Sequence, residues 1–152
     1  MTSIRHMLWF DSQAEDAAQH YIRVLGDGRI NNVSHGPGGE VFTVDFEILN
    51  QKYIALNGGP QFSHSEAFSI FLDCDGQEEV DRFWEAFINA GGTASQCGWL
   101  KDKFGVSWQI IPKQLGECLG NPDPEKAGRA MEAMMGMQKI IVADLESAVA
   151  QH

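Results

Sequence analysis

The first thirty residues show a strand pattern followed by a helical one. Residues 4–10 form an apolar run of β-compatible residues, and Ser12 with Glu15 has the spacing of a capping box, which starts a helix. Apolar residues then recur at helical spacing up to Gly26, which favours a helix end. They are Ala14, Ala17, Ala18, Tyr21, Val24 and Leu25. The pattern predicts a strand and then a helix whose apolar face packs against a sheet.

The same order of signals returns near residue 70. Phe68, Ile70 and Leu72 alternate as in a strand. Asp75 and Glu78 then repeat the cap spacing. Four apolar residues stand at the same distances from this cap as their counterparts in the first helix, namely Val80, Trp84, Phe87 and Ile88. This repetition predicts an internal duplication.

Strand-like segments separated by turn residues follow each helix. In the first half they are 29–34, 41–49 and 52–57, with a glycine-rich loop at 36–39. In the second half they are a short piece near Thr93, then 96–101 and 106–111. Each half therefore reads β-α-β-β-β, and we predict an α+β fold built from two such modules.

The chain after Pro112 does not repeat either module. Asp123-Pro124 has the form of a helix N-cap followed by proline at the first helical position. The helix that follows is rich in methionine and is predicted to end at Gly136, and a last short helix is predicted from Asp144. The Met-rich helix is interpreted either as a lid or as a packing or dimer face.

We therefore expect a single domain, residues 1–152. It consists of a first module at 1–60, a second module at 61–112 and a helical extension at 113–152. A chain of 152 residues is long enough to bury one sizeable core, and 43% hydrophobic with 21% charged residues is a globular balance.

Charge and cysteine content exclude several classes of protein. The formal net charge of -10 repels phosphate backbones and anionic lipid, so we expect neither nucleic acid nor membrane as a partner. Residues 1–10 lack the features of a secretion signal, and no stretch is long and apolar enough to span a bilayer. The three cysteines, Cys74, Cys97 and Cys118, are scattered, which argues against a disulfide framework. We expect a soluble cytoplasmic protein.

Three motifs resemble one family. They are Leu8-Trp9-Phe10-Asp11, Leu56-Asn57-Gly58-Gly59-Pro60, and the run Gln-Cys-Gly-Trp-Leu-Lys-Asp-Lys-Phe-Gly-Val-Ser-Trp-Gln at 96–109. Together with the two modules, they are similar to the PhnB-like branch of the glyoxalase/bleomycin-resistance (vicinal-oxygen-chelate) superfamily. The resemblance implies a cupped mixed sheet, half from each module. It also implies a homodimer, because members of the superfamily pair modules between chains and so cover open sheet edges.

The resemblance also implies positions for a divalent metal, which catalytic members hold with His or Glu side chains from the first and last strands of the modules. These positions map to His6, Ala55, Gln109 and either Ser65 or Glu66, with His64 close by. Alanine cannot coordinate a metal and an amide is a weak ligand, so we expect no metal and no other cofactor. If a metal did bind, its ligands would be His6, Glu66 and Gln109.

The methyltransferase label of this branch does not fit the sequence. Such an enzyme would normally bind S-adenosylmethionine through a Gly-x-Gly-x-x-Gly turn between a strand and a helix, and no such motif occurs. The loop 36–39 lies between two predicted strands and is better explained as a hairpin loop. Cys97 is interpreted as a buried structural thiol, since no cation adjoins it in sequence, and Ser107 has no triad context.

Strand alternation predicts which side chains line the cup, because successive side chains point to opposite faces. On the last strand Val106, Trp108 and Ile110 form the helix-facing set. The cup-facing sets are expected to be His6, Leu8 and Phe10; Tyr53, Ala55 and Asn57; and Ser107, Gln109 and Ile111. The predicted pocket residues are His6, Phe10, Tyr53, Asn57, Gln96, Ser107 and Gln109. Apolar walls with a few neutral polar groups are typical of a small-molecule site, and a filled core is the alternative.

Three functions are compatible with these features. The first hypothesis is a small-molecule-binding protein that lacks a full catalytic metal site, such as a sequestering protein. The alternatives are a metal-dependent lyase, isomerase or dioxygenase, and a structural homodimer with a vestigial pocket. The sequence identifies neither the ligand nor any reaction.

Overall fold

The first module has the predicted order of elements in the computed structural model, which describes residues 1–151. It contains β1 (His6–Phe10), α1 (Ala14–Leu25), β2 (Arg29–His35), β3 (Val41–Ile48) and β4 (Gln51–Asn57). The strands form one mixed sheet in the order β1-β4-β3-β2. Strand β1 runs parallel to β4, and the other neighbours are antiparallel. The parallel pair needs a crossover connection, which α1 provides.

The second module repeats this arrangement. It contains β5 (Ser69–Cys74), α2 (Gln77–Asn89), β6 (Thr93–Ala94), β7 (Trp99–Lys101) and β8 (Ser107–Pro112). The strand order is β5-β8-β7-β6, with β5 parallel to β8 and the other neighbours antiparallel. The predicted α+β class and the duplicated βαβββ topology are therefore confirmed, and each module forms its own four-stranded sheet.

The chain divides into two compact units. The first is Met1–His64, and the second begins at Ser65 and includes the helices that follow its sheet. The loop 58–64 thus belongs to the first unit and extends beyond the predicted module boundary at residue 60. The single domain stays a prediction.

The loop 36–39 connects β2 to β3, two antiparallel neighbours. The Gly39 N–H donates to the Gly36 carbonyl at 3.0 Å, which closes a tight turn. The interpretation of this glycine-rich segment as a hairpin loop is confirmed.

Helix α1 forms where predicted but begins differently. Its apolar residues are buried, and Gly26 ends it with a left-handed backbone at φ 68°. The predicted capping box is wrong, because Gln13 rather than Ser12 is the N-cap and its side chain makes no capping hydrogen bond. Instead, the side-chain oxygen of Asn57 accepts a hydrogen bond from the Ala14 N–H at 2.8 Å. A residue distant in sequence replaces the local cap.

Helix α2 also begins one residue later than predicted, with Gly76 as its N-cap instead of Asp75. The Asp75 N–H donates to the carboxylate of Glu79 at 2.7 Å. The predicted capping box had assigned this acceptor role to Glu78. The Asp75 carboxylate accepts a hydrogen bond from Lys113 at 2.8 Å, which lowers the pKa of Asp75. The acidic first turn still suits the positive end of the helix dipole.

Three helices follow β8: α3 (Lys113–Leu119), α4 (Pro124–Met135) and α5 (Val142–Ala150). Asp123 caps α4 as predicted, and Gly136 ends it. The sequence pattern does not predict α3, which runs through Gly116. Tertiary packing explains this helix, because Leu115 and Cys118 are buried in it. Within the described part of the chain, none of the helices is long and apolar enough to cross a bilayer.

The helical extension has its own apolar cluster, which includes one residue of β8. Its buried members are Ile111, Leu115, Cys118, Ala130, Met137, Ile140 and Leu145. Gln77 ties this cluster to α2, since its amide donates to the Ile140 carbonyl at 2.9 Å and accepts from the Val142 N–H at 2.7 Å. Helix α4 is therefore a packing element of the second unit, although Met131 and Met135 remain 45% and 61% exposed.

Asp102 organises the turn between β7 and β8. Its buried carboxylate accepts hydrogen bonds from the N–H groups of Phe104 and Val106 at 2.8 and 3.0 Å. It also accepts one from the indole N–H of Trp108 at 3.0 Å. These donors compensate for the burial of a charged group, and they fix Trp108 against Phe87 of α2, whose ring centroid lies 4.6 Å away.

Candidate functional site

Helix α1 covers the face of the first sheet that was expected to line the cup. The Tyr21 ring of α1 lies 6.2 Å from the Phe46 ring, and Phe46 stacks on Tyr53 of β4 at 5.4 Å. The other side chains of this face are also buried: Leu8, Phe10, Val44, Ile48 and Ala55. The side chains of β1 and β4 that were predicted to line the cup therefore pack on the helix side instead, and the prediction for these two strands is wrong. Burial beneath the helix also raises the pKa of Tyr53.

Asn57 and His6 lie on the same side of the first sheet. The Asn57 amide caps Ala14 and donates to the Val41 carbonyl at 3.0 Å, so both ends of this amide are used by the fold. His6 is exposed at the start of β1, with its ring centroid 6.0 Å from that of Tyr53. Four of the seven predicted pocket residues, Phe10 among them, thus lie on the helix side of this sheet.

The opposite side, which we call the open face of the first sheet, carries the other parity of each strand. Strand pairing places these side chains next to one another: Met7, Trp9, Thr43, Asp45, Ile54 and Leu56. Arg5 forms an ion pair with Asp45 at 3.5 Å. Beside this ion pair, Met7, Trp9, Ile54 and Leu56 form an apolar part of the face, and Met7 is 53% exposed.

The loop 58–64 folds back onto Trp9. The indole N–H donates to the Gly59 carbonyl at 2.9 Å, and the Phe62 ring meets the indole edge to face at 5.0 Å. A Cβ atom at Gly58 would overlap the indole ring, which explains why glycine is needed there. Two of the sequence motifs, at 8–11 and 56–60, are thus in direct contact.

His64 is fixed by the same loop. Its Nε2 atom lies 2.7 Å from the Trp9 carbonyl, and its ring is 5.5 Å from that of Phe10. His64, which lies near an implied metal position, is partly buried and bound to the Trp9 carbonyl. Its contacts hold the loop in place.

The second sheet presents a different open face. Its helix-facing side carries Trp108 and Ile110, both fully buried, as predicted. The opposite side, which we call the open face of the second sheet, carries Ser69, Phe71, Asp73, Trp99, Lys101, Ser107, Gln109 and Ile111. Ser107 and Ile111 are buried, and Ile111 packs in the cluster of the helical extension. Ser107 and Gln109 are therefore on the expected side.

Gln109 occupies the middle of this open face. It pairs with Phe71 of β5 on one side and with Trp99 of β7 on the other, so an amide stands between two aromatic side chains. Its Nε2 donates to the Ser69 hydroxyl at 3.0 Å, which leaves Oε1 as an acceptor. Phe71 is 51% exposed. The sequence singled out neither Phe71 nor Trp99 for this role, although the alternation of Ile70 and Leu72 already placed Phe71 on the opposite face.

Ser107 lies next to Gln109 along the same face, two residues away. It is 1% exposed, and its hydroxyl has no hydrogen-bond partner among the described residues. Its neighbour Lys101 forms an ion pair and a hydrogen bond with Glu66. The hydrogen bond from Lys101 lowers the pKa of Glu66. A buried hydroxyl without a partner is unusual and marks a position that a further polar group can satisfy.

Gln96 and Cys97 do not belong to a strand. Strand β7 begins only at Trp99, whose N–H donates to the Gln96 carbonyl at 3.0 Å. Cys97 has a left-handed backbone, φ 58°, and is only half-buried. The interpretation of Cys97 as a buried thiol in a strand is therefore wrong, and Gln96 is exposed in the turn.

The residues present do not fit a divalent metal. Residues 1–151 contain no group of three or more His, Cys, Asp or Glu side chains that could hold one. On the open faces the central positions of the first and last strands are Met7, Ile54, Phe71 and Gln109. Of the three residues implied as ligands, Glu66 is paired with Lys101 and the Gln109 amide with Ser69.

Similarity to known proteins was found at the level of family and of fold. The family model for 3-demethylubiquinone-9 3-methyltransferase matches residues 2–111. Among the curated proteins there was no match.

Solved structures match over most of the chain. A Bacillus cereus PhnB protein, described as a putative 3-demethylubiquinone-9 3-methyltransferase, is 26% identical, with a TM-score of 0.65 over 73% of this chain and 99% of its own. The fosfomycin resistance protein FosX of Mesorhizobium loti is 13% identical, with a TM-score of 0.60 over 79% and 98%. A glyoxalase/bleomycin resistance protein of Albidiferax ferrireducens T118 is 15% identical, with a TM-score of 0.51 over 72% and 96%. The family model, which matches well over half of the chain, shows that the chain belongs to the 3-demethylubiquinone-9 3-methyltransferase family, and the solved structures show that it has the fold of the PhnB and glyoxalase/bleomycin resistance proteins.

Proposed function

We propose that this protein binds a small, flat, uncharged molecule on the open face of its second sheet. The observation that carries the proposal is the row Phe71, Gln109, Trp99, in which an amide with an unused acceptor lies between two aromatic side chains. Aromatic surface supplies affinity for a planar ligand, and the Gln109 Oε1 selects one that carries an N–H or O–H donor.

The charges around this row favour an uncharged ligand. Lys101 is the cationic side chain of this face, and its ion pair with Glu66 compensates its charge. The Ser107 hydroxyl is buried and neutral and has no partner among the described residues, so it adds no charge to this face. A ligand with its own full charge would be desolvated against Phe71, Gln109 and Trp99, none of which carries a counter-charge.

Binding rather than turnover is the function that this chemistry supports. An amide and an isolated hydroxyl do not ionise near neutral pH, and the row Phe71, Gln109, Trp99 holds no general acid or base. Within residues 1–151, the side chains also do not fit a divalent metal that could polarise a substrate. A sequestering protein needs only affinity, which aromatic walls and directed hydrogen bonds supply.

A thermal-shift screen of planar heteroaromatic compounds tests the proposal, with aliphatic phosphonates as the comparison set. A compound that binds only the folded protein raises its melting temperature. We expect the hits to be planar compounds, and we expect Gln109→Leu and Phe71→Ala each to weaken their binding at least about tenfold. Phe42→Ala is the matched control for Phe71→Ala, because Phe42 is 50% exposed on the first sheet.

Hits that bind Gln109→Leu as tightly as the unaltered protein would contradict the proposed site. A screen in which only phosphonates bind would contradict the proposed ligand class. Absence of any hit would favour a structural protein with a vestigial site.

A homodimer is part of the same proposal. Met7 is 53% exposed on the open face of the first sheet, and such apolar surface is commonly covered by a second chain. Light scattering at micromolar concentration is expected to give twice the monomer mass, and a monomer would contradict this.

The cytoplasm is the compartment we propose. All three cysteines are free thiols, and two of them are buried. Free thiols persist in a reducing compartment, whereas a secreted protein tends to pair them.

A further inference from the structure

We propose that Cys97 and Met135 form a surface site for a soft monovalent cation, with Cu(I) as its chemical type. The Cys97 thiol contacts the Met135 thioether, with Sγ and Sδ 4.0 Å apart. The two residues are 38 positions apart in the sequence. Thiolate and thioether sulfur are the ligands that select Cu(I) among biological metals.

Backbone contacts hold the two sulfurs together. The Cys97 N–H donates to the Met137 carbonyl at 2.8 Å, and the Gly98 N–H donates to the Gln138 carbonyl at 2.7 Å. These two hydrogen bonds fix the turn at 97–98 against the segment directly after Met135. The backbone therefore holds the two residues close enough for their sulfurs to meet.

The geometry of the pair suits a three-coordinate ion. An ion about 2.3 Å from each of two sulfurs that are 4.0 Å apart makes an angle of about 120° with them. This is the angle of trigonal coordination, which leaves one position open. Met131 lies one helical turn before Met135 in α4 and is 45% exposed, so it is the residue we assign to that position.

The sulfur-containing side chains of the proposed site are more exposed than those that pack in the apolar cluster. Met131 and Met135 are 45% and 61% exposed, whereas Met137 and Cys118 are each 9% exposed and belong to the apolar cluster. Burial raises the pKa of Cys74 to about 11. Thiolate formation is thus disfavoured at that buried cysteine, and Cys97 is the thiol that solvent and metal can reach.

The electrostatics of the position favour a cation. Met135 is the last residue of α4, where the helix dipole places partial negative charge. Binding replaces the thiol proton of Cys97, which leaves to solvent, with Cu⁺, so the site gains no net charge. No electron is transferred, because copper enters and remains as Cu(I).

Competition with a chromogenic Cu(I) chelator such as bicinchoninate, under anaerobic reducing conditions, tests the site. The full-length protein is expected to withdraw about one equivalent of Cu(I) from the chelator. Cys97→Ser and Met135→Leu are each expected to weaken binding at least about tenfold. Met131→Leu is expected to weaken it by a smaller factor, because it removes a ligand that water can replace.

Met7→Leu is the matched control, since Met7 is 53% exposed and lies in the first unit. It is expected to bind Cu(I) as the unaltered protein does. Ag(I) counted by native mass spectrometry gives a second measurement that does not depend on redox state, and circular dichroism verifies that each variant is folded. Failure of the unaltered protein to compete with the chelator, or undiminished binding in Cys97→Ser or Met135→Leu, would overturn the proposal. The flat-ligand site does not use these residues, so either proposal can fail without the other.

Discussion

The side-chain oxygen of Asn57, the last residue of β4, accepts a hydrogen bond at 2.8 Å from the backbone N–H of Ala14, the first residue of α1. The same amide donates to the Val41 carbonyl at the start of β3. One side chain therefore joins the helix to the two central strands of its sheet. A helix N-terminus leaves backbone N–H groups without partners, and this amide satisfies one of them.

Replacing Asn57 with Ala is expected to lower the free energy of unfolding by about 1–3 kcal/mol, because it leaves a helix N–H and a strand carbonyl without partners. Urea denaturation followed by circular dichroism measures this change. Asn31→Ala is the control, since its exposed amide only bonds the surface carboxylate of Glu47, and a change below about 0.5 kcal/mol is expected. Equal effects of the two variants would show that Asn57 does not cap the helix.

Substitution by alanine is predicted to change the stability of the protein in opposite directions at Gly58 and Gly116. A Cβ at Gly58 would overlap the Trp9 indole, so Gly58→Ala is expected to destabilise the protein by about 1–3 kcal/mol and to alter tryptophan fluorescence. Gly116 lies in α3 with no atom near an added Cβ, so Gly116→Ala is expected to stabilise it by up to about 1 kcal/mol. Chemical denaturation of both variants measures the two signs, and loss of stability in Gly116→Ala would contradict the helix assignment there.

Asp102→Ala is expected to be among the most damaging single substitutions, at about 3–5 kcal/mol. It leaves two backbone N–H groups and the Trp108 indole N–H without their acceptor in a buried turn. Asp102→Asn retains one oxygen and is expected to cost less. Asp144→Asn, at an exposed aspartate in the first turn of α5, serves as the control. Unfolding monitored by tryptophan fluorescence distinguishes them, and equal stability of Asp102→Ala and the control would refute this role.

Purified protein is expected to contain less than about a tenth of an equivalent of zinc, nickel, manganese or iron. The physical reason is that a divalent ion would exchange water for too few charged donors, since Glu66 is paired with Lys101 and Gln109 with Ser69. Elemental analysis of untagged protein measures this. Stoichiometric metal that survives dialysis and is lost in His6→Ala would promote a metal-dependent enzyme over a binding protein.

Features governed by neighbours in sequence were predictable. The apolar stripes of α1 and α2, the end of α1 at Gly26 and the cap of α4 at Asp123 all follow from spacing within one or two helical turns. The motifs at 8–11, 56–60 and 96–109 indicated the family, and the duplicated topology followed from the repeated signals.

The sequence alone did not determine, for every strand, which side chains face the covering helix. On β8 one parity is apolar and the other contains Ser107 and Gln109, so the helix-facing set was predicted correctly. On β1 both parities are apolar, with Leu8 on one and Met7 and Trp9 on the other. Alternation states that such side chains point to opposite faces, but not which face a helix covers.

Contacts between residues far apart in sequence were decided only by the tertiary structure. The Asn57 cap of Ala14, the contact of His64 with the Trp9 carbonyl and the sulfur pair of Cys97 and Met135 each join segments that sequence spacing does not relate. Local patterns determined the elements because helices and strands depend on neighbouring residues. Packing determined the sites, because a side chain acquires its partners only when separate elements are brought together and the face that each one buries is chosen.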